Sequence, residues 1–439
     1  MKFVNKLKPI QVIVGGYVVL TLLAALLLYL PFSRKPGQSL SFIDALFTSA
    51  SAISVTGLTV TNTAETFSLF GEIVLLVTIQ LGGIGIMTLG TMVWLILGRK
   101  IGLRDRLLIQ LDQNQISLAG LVRLVRSILV IVLVIEAVGA FILGTYFMRF
   151  YPWHEALYMG LFHAVAGFTH AGFDLFDNSF LVFRHDYVVN VTMMALIFCG
   201  AIGFPVLIEL LQYPSRRRLS LHSKLSLLVY VLLWIIGTLF ILVIEFDGNL
   251  KHDAWHEKIL VSAFQSLTTR SAGFATADVR TFQLPTLLMM SLLMFIGASP
   301  SSSGGGIRTT TLATVVLAVR SFAKGTKEVS VFGRELDPAD VRKAFVVAVF
   351  GVSLLVTALL ILSVTEPFEL KWLAFEIASA FGTCGLSVGI TGELSSVGKV
   401  VLMVIMLTGR IGFGAILLMW RDKEKKALYS YPKERLIIG

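Results

Sequence analysis

One short segment rich in small residues recurs four times along this chain, and each copy is followed by an apolar helix interrupted by glycine. In each copy an apolar run leads to Ser or Thr and then to a Gly that precedes Leu or Phe. The copies are SASAISVTGLTVTNT (Ser49–Thr63), HAVAGFTHAGFDLFDN (His163–Asn178), AFQSLTTRSAGFATAD (Ala263–Asp278) and SAFGTCGLSVGIT (Ser379–Thr391), aligned on Gly57, Gly172, Gly273 and Gly385. Short non-helical backbone is tolerated at membrane depth only inside protein or along a watery path. The four copies therefore predict four walls of one pore.

The composition is that of a membrane protein. Hydrophobic residues make up 56% of the 439 residues and charged residues only 15%, whereas soluble proteins carry about 25% charged residues. The net charge of +10 indicates cytoplasmic loops and contact with anionic lipid headgroups rather than nucleic-acid binding. The two cysteines, Cys199 and Cys384, lie far apart in apolar segments, which argues against a disulfide framework or a zinc site.

Eight apolar runs have the length of about 20 residues that a membrane span needs. They cover residues 10–31, 69–97, 121–147, 186–212, 224–246, 283–319 with an interruption, 342–363 and 396–420. Within successive pairs lie shorter stretches that fit re-entrant helices, at Phe42–Ser54, Glu155–Thr169, Glu257–Thr269 and Trp372–Phe381. The predicted fold class is an all-α membrane protein, with four tandem helix–pore-loop–helix repeats (eight spans, four re-entrant loops) around one pseudo-fourfold pore. We expect the repeats at 1–98, 99–212, 213–320 and 321–420, and a cytoplasmic C-terminal tail at 421–439.

The distribution of lysine and arginine predicts the orientation. Basic residues cluster at the N-terminus (Lys2, Lys6 and Lys8), in the linkers between repeats and in the tail, and they are scarcer in the segments that hold the four motifs. Cytoplasmic segments of membrane proteins carry the excess of Lys and Arg. We therefore expect a multi-pass protein of the plasma membrane, with both termini cytoplasmic and the four loops entering from outside.

The four loops suit a monovalent cation. A dehydrated cation needs oxygen ligands, which backbone carbonyls supply in potassium channels, and no ring of Asp or Glu occupies the narrow segment. The negative C-terminal ends of inward-running half-helices also favour a cation. Small-residue segments that only let membrane helices pack closely are the alternative. The predicted carbonyl donors are Ser54, Val55, Thr56, Gly57, Thr169, His170, Ala171, Gly172, Arg270, Ser271, Ala272, Gly273, Gly382, Thr383, Cys384 and Gly385.

The motifs SVTGL, THAGF, RSAGF and TCGL resemble the degenerate selectivity filters of the Trk/Ktr/HKT superfamily of potassium transporters. The resemblance covers nearly the whole chain. It is strongest to the Ktr membrane subunits (KtrB or KtrD type), because the chain has just four repeats and lacks an extra N-terminal helix pair. Glycine at all four filter positions resembles the potassium-preferring members, whereas Ser in the first repeat is linked to sodium transport in some plant relatives.

That resemblance implies a set of properties beyond the filter. It implies K+ as the substrate of a single-subunit pore, leaves Na+ open as an activator, and implies no organic cofactor. It further implies a homodimer and a cytosolic nucleotide-binding regulatory ring of the KtrA or KtrC kind. Membrane lipid is the other expected partner, and nucleic acid is not expected.

The sixth apolar run is interrupted by GASPSSSGGGIRTTT (Gly297–Thr311). Proline and glycine both disrupt a helix, and a polar segment inside a span lines a water-filled route. Members of the resembled family carry an intramembrane gating loop in this half-repeat, so we expect a gating loop beneath the filter. A static kink is the alternative, and Arg308 either repels cations or pairs with a helix C-terminus. The predicted gating residues are Gly297, Pro300, Ser301, Ser302, Ser303, Gly304, Gly305, Gly306 and Arg308.

Arg410 lies inside the eighth apolar run, where a charge is costly and usually faces a cavity or a partner. The resembled family carries a basic residue at this place, in the cavity below the filter, which implies that Arg410 is a cavity charge. A packing arginine bound to carbonyls is the alternative.

Other functions fit the sequence less well. A membrane enzyme would need clustered Ser, His, Asp or Glu, and we find neither a Ser-His-Asp arrangement nor a metal-spaced motif, so we do not expect an enzyme. A sodium, ammonium or other monovalent cation transporter and a non-conducting membrane scaffold subunit stay open as alternatives.

Overall fold

The computed structural model describes residues 8–85 and 121–412, with the isolated residues 88, 102, 106–108, 110, 432, 434, 436 and 437. Its α-helices are α1 (Pro9–Tyr29), α2 (Phe42–Ser54), α3 (Thr63–Thr66), α4 (Leu69–Ile84), α5 (Leu121–Phe147), α6 (Trp153–Thr169), α7 (Tyr187–Ala201), α8 (Phe204–Arg216), α9 (Leu221–Ile244), α10 (Trp255–Thr268), α11 (Leu284–Phe295), α12 (Thr309–Ala323), α13 (Pro338–Thr365), α14 (Leu370–Phe381) and α15 (Ser396–Ile411). The strands are β1 (Asp177–Phe180), β2 (Ser330–Val331) and β3 (Arg334–Glu335), and β2 pairs antiparallel with β3.

The same order of elements occurs four times. A long apolar helix (α1, α5, α9 or α13) is followed by a shorter one (α2, α6, α10 or α14). A loop comes next, which contains the short α3 in the first repeat, and then an apolar helix that starts with α4, α7, α11 or α15. We call α2, α6, α10 and α14 the half-helices. Each of them turns most of its length towards the interior, and their last residues are buried.

Local capping explains where several of these helices begin. Ser41, Asp186 and Ser395 precede α2, α7 and α15, and each accepts a hydrogen bond from a backbone N–H of the first turn. Such side chains satisfy amide groups that have no partner inside the helix. The sequence thus marks the start of the half-helix in the first repeat and of the helix after the loop in the second and fourth.

The helices after the loop in the first, second and fourth repeats end earlier than the continuous spans that were predicted. The span predicted at 186–212 is wrong as one helix, because α7 and α8 meet at an angle of 103°. Gly203 joins them with φ 93° and ψ 139°, a conformation that is essentially restricted to glycine. Likewise α4 ends at Ile84 and α15 at Ile411, where helices were predicted to continue to 97 and 420, and the following Gly85 and Gly412 have nearly the same conformation as Gly203. Residues 413–420 and most of 86–97 lie outside the described residues.

The described part of the chain contains four helices that are long and apolar enough to cross a membrane, namely α1, α5, α9 and α13. The bent pair of α7 and α8 would make a fifth. The total of eight spans and the repeat limits stay predictions. Many large apolar side chains on α5, α9 and α13 are exposed, as expected for faces that meet lipid.

Candidate functional site

Each half-helix ends in a turn with the same backbone conformation. The first residue of the turn is left-handed although it is not glycine, at Val55, His170, Ser271 and Thr383 (φ 56°, 67°, 85° and 45°). Two residues later comes the aligned glycine, also with positive φ, at Gly57, Gly172, Gly273 and Gly385 (φ 86°, 66°, 77° and 97°). Non-glycine residues with positive φ are uncommon, and such strain concentrates at functional sites.

These four glycines, which we call the ring glycines, meet one another in a closed circle. A Cβ atom added to Gly57 would overlap the carbonyl oxygen of Ala171 and come within 2.6 Å of the Cα of Gly172. One added to Gly172 would lie 3.4 Å from Gly273 Cα. One added to Gly273 would lie 3.0 Å from Gly385 Cα, and one added to Gly385 would lie 3.0 Å from Gly57 Cα. The structure therefore brings the four predicted filter turns together around one axis.

Backbone hydrogen bonds fix how each turn leaves its half-helix. The N–H groups of Thr56, Ala171 and Cys384 each donate to a carbonyl five residues earlier, at 2.8 Å. In the third turn the N–H of Ala272 donates instead to Thr268, four residues earlier, at 2.9 Å. The carbonyl that accepts from the residue before the ring glycine therefore lies five positions before that glycine in the third repeat and six positions before it in the other three.

Serine side chains support two of the turns. The hydroxyl oxygens of Ser51 and Ser379 accept hydrogen bonds from the N–H groups of Gly57 and Gly385, both at 3.0 Å. These amides are thereby satisfied without using a carbonyl. Among the described residues, no backbone N–H outside the helices donates to the carbonyls that precede the four ring glycines.

A cavity of about 200 Å³ opens on one side of the ring. Its floor is formed by the ring glycines, and its wall includes Thr59, Asp174, Ala275 and Ser387, each two residues after its ring glycine. Asp174 is the only carboxylate in this lining. The cavity is large enough for several water molecules, each of which takes about 30 Å³.

The predicted interruption of the sixth apolar run is confirmed: α11 ends at Phe295 and α12 begins at Thr309. The connecting residues, which we call the intramembrane loop (297–308), are buried apart from a partial exposure of Pro300 and Arg308. Their backbone uses groups left free by the break between α7 and α8. Ser303 and Ser299 donate to the carbonyls of Gly200 (3.2 Å) and Ala201 (3.0 Å).

The intramembrane loop also packs against two filter turns. The Ser271 hydroxyl donates to the Gly382 carbonyl and accepts from the Gly305 N–H at 3.1 Å. A Cβ added to Gly305 would overlap the Thr383 side chain. Ser271 therefore links the third turn, the fourth turn and the loop through one oxygen atom.

Arg270 has a role that sequence reasoning missed, since we expected only its carbonyl to matter. Its side chain is fully buried and donates two hydrogen bonds to the Gly297 carbonyl, at 2.9 and 2.7 Å. Its guanidinium carbon lies 4.4 Å from the ring centre of Tyr230, a distance typical of cation–π contact. Arg270 thus ties the third filter turn to the first residue of the loop.

Two further arginines bind the loop. Arg308 donates to the carbonyls of Ser299 (3.3 Å) and Gly304, within the loop itself. Arg410 donates to the Ser303 carbonyl and also to the carbonyls of Gly82 and Gly83, the latter at 2.9 Å. Arg410 therefore joins the intramembrane loop to the end of α4, where that helix stops.

The structure brings the predicted residues together as one assembly. The four filter turns form the ring, the intramembrane loop lies against the third and fourth turns, and Arg410 reaches the loop from α15. The helix ends that sequence reasoning missed had a sequence signal, because Gly-x-Ile-Gly occurs at Gly82–Gly85, Gly200–Gly203 and Gly409–Gly412. The glycine that opens each motif packs against a carbonyl near the end of the half-helix in its own repeat, at Ile53, Phe168 and Phe381.

Comparison with known proteins shows the family of this chain. The family model of TrkH, described as a cation transport protein, matches residues 6–429. The chain belongs to the TrkH family of cation transport proteins. As a TrkH-family member it is an all-α, multi-pass membrane transporter and not an enzyme, as the sequence predicts.

Relatives of this TrkH-family chain align over nearly its whole length. It is 48% identical to the Ktr system potassium uptake protein D of Bacillus subtilis (strain 168), over 100% of this chain and 99% of that protein. It is 35% identical to the potassium/sodium uptake protein NtpJ of Enterococcus hirae, over 99% of this chain and 98% of that protein. The crystal structure of the potassium transporter TrkH from Vibrio parahaemolyticus superimposes with a TM-score of 0.74 at 19% identity, covering 94% of this chain and 85% of that one.

Proposed function

We propose that this chain takes up K+ across the plasma membrane, in single file through the ring of four filter turns. The observation that carries the proposal is the closed circle of ring glycines, in which the turns of four separate half-helices converge. Full-length relatives named as potassium uptake proteins support K+ as the substrate.

The ring offers the ligands that a monovalent cation needs. Carbonyls of the residues before each ring glycine would replace the hydration shell of K+, as in other potassium-conducting filters. The half-helices end three to five residues before the ring, so their negative ends add a favourable field. Asp174, in the cavity wall, would raise the local cation concentration at the entrance.

We place the cavity of Asp174 on the outer side and both termini in the cytoplasm. The basis is the excess of Lys and Arg in the linkers and the tail, which favours the cytoplasmic side. The described basic residues Arg320, Lys324 and Lys327 lie in and after α12, on the linker side of the chain. K+ would then enter through the cavity, pass the ring and meet the intramembrane loop.

The intramembrane loop is the proposed gate. It lies against the Ser271 and Thr383 turns, and its carbonyls are held by Arg308 and Arg410. A positive charge on Arg410 in this position would lower cation occupancy below the ring. Opening the gate would require these hydrogen bonds to break, so a regulator that moves α12 or α15 could control the rate.

The proposed assembly is a homodimer with a cytosolic nucleotide-binding ring. Relatives named as components of a Ktr system support the presence of other components. The proposed docking surface is the cytoplasmic linker around β2 and β3, where Phe322 and Phe332 are exposed beside basic residues. Na+ as an activator belongs to the same proposal.

Sodium transport is the second candidate. It is favoured by the relative named as a potassium/sodium uptake protein, which aligns over 99% of this chain. A carbonyl ring selects between K+ and Na+ by its size and by the field strength of its ligands. The two candidates therefore differ in the ratio of K+ to Na+ uptake.

The test is K+ and Na+ uptake into cells that lack their own potassium transporters, with Gly57→Ser and Gly273→Ser as variants. The matched control is Gly37→Ser, because Gly37 also has positive φ (84°) but has open space where a Cβ would be. We expect K+ uptake by the wild type and by the control, and its loss or a shift towards Na+ in both ring variants. Absence of uptake with a cytosolic nucleotide-binding partner supplied would contradict the proposal and favour a scaffold.

A further inference from the structure

The extended segments that follow the ring glycines, which we call the return limbs, need a support of their own. They run past the half-helices without helical hydrogen bonds, so their backbone amides must find other partners when buried. Three of them use a fully buried side chain from the half-helix of the same repeat: His163, Gln265 and Glu376. Each of these side chains accepts a hydrogen bond from the backbone N–H of the third residue after the ring glycine of its repeat.

In the second repeat the acceptor is His163. Its Nδ1 lies 2.7 Å from the carbonyl oxygen of Met159, so Nδ1 carries the proton in this contact. In the neutral imidazole the other nitrogen is then an acceptor, and Nε2 accepts from the N–H of Leu175 at 3.2 Å. The ring is stacked on Phe176, with centroids 4.5 Å apart.

In the fourth repeat the acceptor is the Glu376 carboxylate. Its Oε1 accepts from the Val388 N–H at 3.0 Å and from the Ser387 hydroxyl at 2.6 Å. Its Oε2 accepts from the Thr391 hydroxyl at 2.9 Å. One carboxylate thus holds three positions of the fourth return limb.

In the third repeat the acceptor is Gln265. With its amide oxygen turned towards the return limb, it accepts from the N–H groups of Thr276 (3.1 Å) and Ala277 (2.9 Å). Gln265 stands eight positions before Gly273, whereas His163 and Glu376 stand nine before Gly172 and Gly385. The carbonyl that accepts from the residue before the ring glycine is also one position closer to that glycine in the third repeat, so each of the three acceptors stands three positions before that carbonyl.

The first repeat has Thr48 at the matching place, nine positions before Gly57. Its hydroxyl is buried and has no hydrogen-bond partner. The first return limb is therefore not held in this way. In the other three repeats, three different side chains accept a hydrogen bond from the same backbone position. Helix packing alone does not require this shared contact.

We propose that His163, Gln265 and Glu376 are positioning residues for the filter, and that their hold on the return limbs sets how well the ring distinguishes K+ from Na+. This inference rests on the proposed function of the ring. Two residues separate each held N–H from its ring glycine, so movement of a return limb changes the spacing of the carbonyls. A ring free to contract would bind the smaller Na+ more readily.

The test uses near-isosteric side chains that cannot accept a hydrogen bond: Glu376→Met, Gln265→Met and His163→Phe. Glu376→Gln is the rescue variant, because an amide oxygen can still accept from Val388. Glu366→Met is the matched control: Glu366 is also buried and accepts from the Ser395 N–H at 3.0 Å, but at the start of α15, outside the ring. Initial K+ and Na+ uptake, KM and maximal rate are measured at equal amounts of membrane-inserted protein.

We expect each apolar variant to lower the K+/Na+ uptake ratio, by about tenfold for Glu376→Met, which loses three bonds, and to raise the KM for K+. Glu376→Gln and Glu366→Met should keep the wild-type ratio. A purely structural role would lower the amount of protein and the uptake of both ions equally, leaving the ratio unchanged, and that result would overturn the inference. If Glu376→Met fails to insert, the other two variants decide it.

The inference and the proposed function fail in different ways. If the wild type takes up no K+, the proposed function is wrong. If the wild type is selective and the apolar variants keep its ratio at equal abundance, the function stands and the positioning role is wrong.

Discussion

At the scale of single residues, the ring glycines carry two constraints that no other residue meets. Positive φ costs other residues roughly 1–2 kcal/mol, and the neighbouring turn leaves no room for a Cβ atom. The space available for a Cβ atom differs among the four ring glycines. The added Cβ would overlap a carbonyl oxygen at Gly385, but at Gly172 its nearest neighbours lie 3.1 and 3.2 Å away.

This difference predicts a graded effect of alanine. Gly385→Ala should abolish K+ uptake, because Thr56 would have to move and distort the adjacent turn. Gly172→Ala should retain measurable uptake, lowered by about tenfold, since its cost comes mainly from backbone strain. The measurement is K+ uptake by the two variants at equal membrane abundance. A larger loss of uptake in Gly172→Ala than in Gly385→Ala would contradict the ring geometry.

Ser271 predicts an effect on gating, because its hydroxyl joins the third and fourth turns to the intramembrane loop. Ser271→Ala removes the hydroxyl that accepts from the Gly305 N–H, and such a bond contributes about 1 kcal/mol. The open state of the loop would gain population by about fivefold, so the maximal K+ uptake rate should rise by up to that factor.

The matched control for that variant is Ser291→Ala. Ser291 lies in α11 and donates only to the Leu287 carbonyl of its own helix. Its substitution should leave the rate unchanged. A fall in the maximal rate of Ser271→Ala, with normal abundance, would show that the loop contact does not oppose conduction.

At the scale of elements, the break between α7 and α8 binds the intramembrane loop. The break after α7 frees the carbonyls of Gly200 and Ala201, and both accept from the intramembrane loop. The Phe204 N–H at the start of α8 donates to the Ser301 carbonyl at 2.8 Å. The helix break is thus part of the binding surface for the proposed gate.

Gly203→Ala tests this element directly. Its φ of 93° is strained for alanine, and the added Cβ would overlap the Pro300 carbonyl oxygen. The backbone strain of alanine in this conformation alone costs about 1–3 kcal/mol. We therefore expect the detergent-solubilised Gly203→Ala variant to unfold at a lower temperature than the wild type. Gly15→Ala in α1, which has open space, should be neutral or stabilising. Equal unfolding temperatures for wild type and Gly203→Ala would contradict the role of this break.

The sequence predicted the elements that have a strong local pattern. The half-helices, the filter turns and the interruption between α11 and α12 follow from apolar periodicity, small residues and helix-breaking residues. The bend between α7 and α8 was missed, because hydropathy continues across Gly203 and the Gly-x-Ile-Gly motif was not interpreted as a helix break. The buried side chain of Arg270 was missed as well, since its partner Gly297 is distant in sequence and becomes a neighbour only on folding.

At the scale of the whole molecule, the intramembrane loop is held by all four repeats. Arg410, in α15 of the fourth repeat, binds the loop and connects it to α4 of the first repeat. In the second repeat, carbonyls of α7 accept hydrogen bonds from the loop and an N–H of α8 donates one to it. Arg270 binds the loop from the half-helix side of the third repeat. A change at any repeat can therefore alter the loop. In the proposed topology this arrangement suits control by the proposed partner at the linkers, because a linker movement would reach the loop through α12.

The orientation of the whole molecule gives the last prediction. Gly37 lies before the first half-helix and Gly325 after α12, and each has open space around its Cα. The proposed topology puts Gly37 outside and Gly325 in the cytoplasm. A membrane-impermeant maleimide should therefore label Gly37→Cys in intact cells, and should label Gly325→Cys only after permeabilisation. The native Cys384 is buried and Cys199 is half-buried, so the wild type supplies the background. Labelling of Gly325→Cys in intact cells would reverse the orientation and with it the direction from cavity to loop.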